Sequence, residues 1–149
     1  MLGQIKIANE NDISRLKDFL GQANVNSDGV DPIVDNFILM EDLEQKLIAT
    51  LGIERVNEDG LLRSLVISPK LEQPQILALF KGILSLAKQK ELRNLYLATN
   101  KQASVEFFTM LGFDQIGKDE LPDHLKVSQH LQHVLGDVDN SIFMRTSLR

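Results

Sequence analysis

The stretch Gly60-Leu-Leu-Arg-Ser-Leu-Val-Ile-Ser-Pro69, continued by Lys70-Leu-Glu-Gln-Pro-Gln-Ile-Leu77 and a helical run to Leu86, decides how the chain is read. Leu61 to Ile67 is apolar on both faces, the pattern of a central strand. Ile76, Phe80, Ile83, Leu84 and Ala87 recur at helical spacing, and Leu77, Leu79 and Leu86 widen the stripe, so a buried helix follows. The loop between them sets a strand end against a helix start, where unpaired N–H groups can hold a phosphate or another anion.

Upstream, Gln4 to Ala8 reads as a short strand, and Asn11 or Asp12 can cap a helix whose apolar face is Ile13, Leu16, Phe19 and Leu20, with Gly21 as its stop. Asn24 to Asp35 is a loop with a helical turn around Pro32 to Val34. Asn36 to Glu41 and Lys46 to Arg55 read as strands joined by the turn Asp42-Leu-Glu-Gln. Asn57-Glu-Asp-Gly60 is the next turn, with Gly60 able to take positive φ. With Leu61 to Ile67, the strands Asn36 to Glu41 and Lys46 to Arg55 are expected to form an antiparallel meander.

Downstream, Asn94 to Ala98 is a strand, so strand–helix–strand implies a parallel pair with a right-handed crossover. Asn100 can cap a helix containing Ala103, Phe107, Met110 and Leu111, ended by Gly112. Phe113 to Ile116 is a strand. Pro122 can open another helix, with Leu125, Leu131, Val134 and Leu135 inward, and Ser141 to Arg145 is the last strand. The expected class is α/β (α+β): a mixed, mostly antiparallel sheet with helices on both faces, in a single domain over 1–149.

Composition narrows the function. With 16 basic against 21 acidic residues the net charge is −5, which argues against a nucleic-acid backbone as the main partner. Without cysteine there are no disulfides, thiolate nucleophiles or Cys-ligated metals. Met1 to Ile7 lacks a basic region before a long apolar run, and no apolar run is long enough for a bilayer. A cytoplasmic protein with no membrane partner is expected. His130 and His133, three apart, lack a carboxylate partner and read as surface residues; no metal site is expected.

Two stretches carry a family resemblance. Gly60 to Pro69 leading into its helix resembles the acyl-CoA strand and pyrophosphate loop of the GNAT (GCN5-related N-acetyltransferase) fold. Leu95-Tyr-Leu-Ala-Thr-Asn100, with Ala103 and Phe107-Phe-Thr-Met-Leu-Gly-Phe113, is similar to its second CoA segment. Gly52-Ile-Glu54, Leu62-Arg-Ser-Leu65 and Asp119-Glu-Leu-Pro-Asp-His-Leu125 narrow the likeness. They resemble arsenic-resistance-associated N-acetyltransferases and the acetyltransferase domain of N-acetylglutamate synthase.

The resemblance implies transfer of an acetyl group from acetyl-CoA, as co-substrate, to the amine of a small, carboxylate-bearing acceptor in a ternary complex. Backbone groups of Leu65, Val66 and Ile67 would pair with the pantetheine arm. Gln73, Gln75, Ile76 and Leu77, with Asn100 and Phe108, would complete the cofactor contacts. Glu54 is the general-base candidate, and a solvated strand end or ion pair is the equal alternative. Arg63, costly in an apolar strand unless paired, could hold the acceptor carboxylate or pair internally with Glu54. Ser64 and Thr99 could supply hydroxyls to a ligand or to backbone. Such folds often dimerise, and the C-terminal strand could take part in a homodimer.

The loop departs from the family pattern. Arg/Gln-x-x-Gly-x-Gly/Ala is replaced by Glu72-Gln-Pro-Gln-Ile-Leu77, with an acid where a basic or amide residue stands and no glycine. Phe108 stands where many members have a proton-donating Tyr. A catalytically silent module that binds a ligand or protein therefore remains the alternative.

Overall fold

The computed structural model describes residues 4–25, 27–99, 102–123, 125 and 142–148. Seven strands form a mixed sheet: β1 (Gln4–Ile7), β2 (Phe37–Glu41), β3 (Leu47–Val56), β4 (Asp59–Ile67), β5 (Asn94–Thr99), β6 (Asp114–Ile116) and β7 (Ile142–Ser147). Their order is β1-β2-β3-β4-β5-β7-β6. Among the described residues the α-helices are α1 (Ile13–Gln22), α2 (Gln73–Gln89) and α3 (Gln102–Met110). None in the described residues is long and apolar enough to cross a membrane. The chain divides into two compact units, Met1–Glu54 with Arg63–Gln89, and Arg55–Leu62 with Lys90–Arg149.

In the first unit β2 runs antiparallel to β1 and β3. Every residue from Phe37 to Met40 is buried, because helical elements cover both faces. Leu16 and Leu20 of α1 share a core with Val30, Val34, Phe37 and Leu39 on one face. On the other face Gly82 of α2 approaches the side chains of Ile5 and Ile38. Gly52 lies directly opposite Phe37 in the β2–β3 register. A Cβ at Gly52 would sit 2.5 Å from the Phe37 ring, so the aromatic occupies the space that the glycine leaves.

The start of α1 differs from expectation. A 3-10 turn, Glu10–Asp12, precedes it, and Asn9 is the cap: its side chain accepts from the Asn11 N–H while Asp12 accepts from the Asn9 N–H. Asp12 is thereby freed to serve as an anchor. It is 4% exposed and meets Lys6 of β1 at 3.2 Å and Arg15 of α1 at 2.8 Å. Arg15 also bonds Glu41 and the Gln45 carbonyl. Burial, the largest influence, pushes the Asp12 carboxyl up, but the Asn9 N–H, Arg15 and Lys6 together outweigh it and hold it below its usual value. At its other end α1 continues past Gly21 to Gln22, and Asn24, not glycine, takes positive φ (59°).

In the second unit β4 is parallel to β5 at Asp59↔Asn94, Gly60↔Leu95 and Leu61↔Tyr96. β7 pairs antiparallel with both β5 and β6. Leu61, Tyr96, Ile116, Leu121, Leu125 and Phe143 form its core. The turn into β4 is tighter than expected: Asn57 takes the positive φ (56°), and Gly60 lies within the strand. An Asn tolerates this conformation because its side chain is short and polar. Gly112, at φ 103°, follows α3 as expected. The helix expected after Pro122, including Leu131, Val134 and Leu135, lies largely outside the described residues, as do His130 and His133.

Two measurements test these packing claims. Gly52→Ala should destabilise the protein by about 1–3 kcal/mol through overpacking against Phe37, read from urea unfolding. The depressed Asp12 pKa makes its stabilisation complete above the unfolded carboxylate pKa and lost as pH falls through the lower folded value. Wild-type unfolding free energy should therefore drop below about pH 4. Asp12→Asn should be less stable at pH 7 and flatter across that acid range.

Candidate functional site

The expected residues in the first unit converge at the junction of β3 and β4. Phe37 and its partner Gly52 occupy one face of β3, and strand alternation puts Glu54 on that same face. Arg63 lies within β4 and is only 7% exposed. Each nitrogen of its guanidinium has a partner: Nε donates to Ser64 Oγ at 3.1 Å, Nη2 to the Asp28 carbonyl at 2.9 Å, and Nη1 faces Glu54 Oε1 at 3.5 Å. Burial, the largest influence, lowers the Arg63 pKa, while the charges of Glu54 and Asp28 oppose it. The group stays a cation, as arginine does in proteins. The internal pair with Glu54 is thus present, and the fork that could meet an acceptor carboxylate is committed to three partners inside the unit.

Glu54 reaches Arg63 through Oε1 only, and its side chain is 20% exposed. Oε2 has no bond among the described residues and is not a buried unsatisfied atom, so solvent reaches it. The result is a carboxylate held from one side and open on the other.

Ser64 adds a backbone feature that no residue-type rule signals. It sits inside β4 at φ 59°, the left-handed region. For a residue with a Cβ this costs about 1–2 kcal/mol. Its hydroxyl bond to Arg63 holds it there. The strand changes character at this point: Asp59 to Ser64 are buried, whereas Leu65 is exposed and Val66 and Ile67 are half-buried. Val66 still packs on the α1 core.

The loop after β4 is closed on itself. Ser68 N–H donates to the Ile48 carbonyl, Leu71 N–H to the Ser68 carbonyl, and Lys70 N–H to Ser68 Oγ. At the helix start Gln75 Oε1 accepts from the Glu72 N–H at 2.9 Å. The Glu72 carbonyl in turn accepts from the N–H groups of Gln75 and Ile76. Glu72 is therefore the cap and Gln75 the returning side chain of a half capping box. Pro69 and Pro74 have no N–H to offer. Among the described residues, only the Gln73 N–H between Ser68 and Ile76 is left without a bond. A cavity of about 370 Å³ beside this turn is lined by Asp42, Ile48, Lys70, Leu71, Glu72 and Gln75, among others, with two acids against one base. Gln75, Ile76 and Leu77 are half-buried and Gln73 is exposed.

The remaining expected residues belong to the second unit. Thr99 ends β5, half-buried and paired with Ile142. Phe108 is 6% exposed and packs edge-to-face on Phe107 and Phe113, with centroids 5.5 and 5.7 Å apart. Asn100 lies outside the described residues.

Comparison with known proteins follows from this geometry. The chain is 37% identical over 131 residues to the uncharacterized protein YwlB of Bacillus subtilis (strain 168), covering 87% of this chain and 88% of YwlB. The chain belongs to the YwlB family. No protein-family model matches it. Among solved structures, Rv2747 of Mycobacterium tuberculosis, in complex with CoA, superposes with a TM-score of 0.77 at 18% identity, over 98% of this chain and 99% of that one. A GNAT-family acetyltransferase of Staphylococcus aureus Mu50 gives 0.71 at 20% identity, over 99% of each. N-acetylglutamate synthase of Neisseria gonorrhoeae, complexed with coenzyme A and N-acetyl-glutamate, gives 0.74 at 18% identity. All of this chain is covered there, but it spans only 36% of the synthase. At these identities the likeness is one of fold: the YwlB-family chain has the GNAT acyltransferase fold.

Arg63→Ala should cost ~3 kcal/mol of unfolding free energy, the scale of removing one partner from a buried ion pair. Arg63→Lys, which keeps the charge but not the fork, should recover only part of it. Equal stability of all three proteins in denaturant would show that the three contacts hold nothing together.

Proposed function

We propose that the chain is an N-acetyltransferase that moves an acetyl group from a thioester of the coenzyme A type to the amine of a small, carboxylate-bearing acceptor. The observation that carries this reading is Glu54, held through one oxygen by the buried Arg63 and open to solvent through the other, on a GNAT fold. The CoA-bound neighbours support the donor class, and the synthase solved with N-acetyl-glutamate supports the acceptor class.

The chemistry asked of the chain is modest. Glu54 takes a proton from the acceptor ammonium, directly or through water, which frees the nitrogen lone pair. The nitrogen attacks the thioester carbonyl carbon; the C–N bond forms, the C–S bond breaks, and the thiolate leaves. The thiolate takes its proton from solvent. Arg63 faces Glu54 and acts as a positioning residue for its carboxylate. Backbone N–H groups of Leu65, Val66 and Ile67 are the candidates for holding the carbonyl oxygen as charge develops on it.

A second reading, a catalytically silent member of the fold, is favoured by the self-closed loop at Ser68 to Ile76 and by Glu72 at its cap. The two readings separate in one assay. Purified protein with acetyl-CoA and a panel of amino acids should release free thiol with at least one amine. Glu54→Gln should lower kcat by about 10²-fold or more with little change in KM. Full activity in the variant would remove Glu54 as the base, and no thiol release with any amine would favour the silent module.

A further inference from the structure

Coenzyme A has two recognisable parts, a pantetheine arm ending in the reactive sulfur and a nucleotide joined through a pyrophosphate. A helix start that binds a pyrophosphate needs unpaired backbone N–H groups, room for close approach and no adjacent negative charge. The start of α2 fails the first and the last of these conditions. The N–H groups of Ser68, Lys70, Leu71, Glu72, Gln75 and Ile76 are bonded within the turn and to Ile48. Pro69 and Pro74 have none, and a single N–H, that of Gln73, remains. The cap residue is an exposed acid, and the adjoining cavity sets Asp42 and Glu72 against Lys70. The pyrophosphate therefore does not fit the residues present. By contrast, the strand end is exposed at Leu65 and half-buried at Val66 and Ile67.

We infer that the donor is a pantetheine thioester recognised through its arm, with the nucleotide and pyrophosphate contributing little to binding. This rests on the acetyltransferase reading above and deepens it. The shared chemistry is an acyl thioester on a pantetheine arm, which is present both in acetyl-CoA and in acetyl-phosphopantetheine attached to a carrier protein. Losing the nucleotide term has a mechanistic consequence. Binding energy from remote, non-reacting parts of a substrate is a common source of catalytic force. In this chain that force must come from the arm, the acceptor or a carrier surface.

The test is calorimetric titration of the full chain with acetyl-CoA, acetyl-pantetheine and 3′,5′-ADP. Acetyl-CoA and acetyl-pantetheine should bind with dissociation constants within about tenfold of each other, a difference of at most ~1.4 kcal/mol, and 3′,5′-ADP should not bind. Acetyl-CoA binding more than about tenfold tighter than acetyl-pantetheine overturns the inference while leaving the acetyltransferase reading intact. Binding of none of the three overturns both. An acetylated carrier protein added as a fourth arm separates the sources: binding at least as tight as acetyl-CoA identifies the carrier, and weaker binding identifies CoA. The double variant Glu72→Arg/Gln75→Gly, which restores a basic residue and a glycine, should gain about tenfold for acetyl-CoA and nothing for acetyl-pantetheine. No gain for acetyl-CoA, or an equal gain for both, counts against the loop as the cause.

Discussion

A guanidinium buried in an apolar strand is the constraint on which the first unit depends. Arg63 cannot shed its charge, so every part of the fork must find a partner where it lies. The partners it has come from three places in the sequence: Glu54 at the end of β3, Ser64 beside it in β4, and the carbonyl of Asp28 in the loop after α1. One side chain therefore ties two strands to a loop that has no regular structure of its own at that point. These contacts offset the desolvation cost that it carries.

Two local features follow from that tie. Ser64 is held in a left-handed conformation that a strand residue with a Cβ avoids, and beyond it the strand turns from buried to exposed. Glu54 is fixed by one oxygen, which leaves a carboxylate that is oriented yet accessible. A carboxylate of this kind is what the proposed acyl transfer needs as its base. The same strand then enters a loop that has spent its amides on its own closure. The first unit thus combines an ion-paired carboxylate at Glu54 with a helix start whose amides are mostly spent on the turn itself.

Much of this architecture was legible from periodicity alone. The strands from Phe37 to Ile67, the helix α2 and the parallel return at Asn94 all follow from apolar spacing and turn residues, because burial on two faces leaves few alternatives. The Arg63–Glu54 pair was legible as one of two options, since a lone charge in an apolar strand demands a partner. What escaped were choices between chemically similar neighbours. Asn9, Asn11 and Asp12 can all cap a helix, and only the 3-10 turn selects Asn9 and turns Asp12 inward to Lys6 and Arg15. Likewise Asn57 and Gly60 both tolerate positive φ, and strand pairing at Gly60 decides between them. The left-handed Ser64 has no signature in residue type, since serine is not a residue that favours this region. In the loop the substitutions at Glu72, Gln73 and Gln75 were visible, but not that Gln75 folds back to consume the cap N–H.

The most direct measurement is an amide NMR titration of the full chain with acetyl-pantetheine, followed by 3′,5′-ADP. Acetyl-pantetheine should shift the amide signals of Leu65, Val66 and Ile67, and the nucleotide should leave those of Glu72 to Leu77 unmoved. Shifts at Glu72 to Leu77 with the nucleotide, or an unresponsive β4, would contradict a donor held by its arm alone.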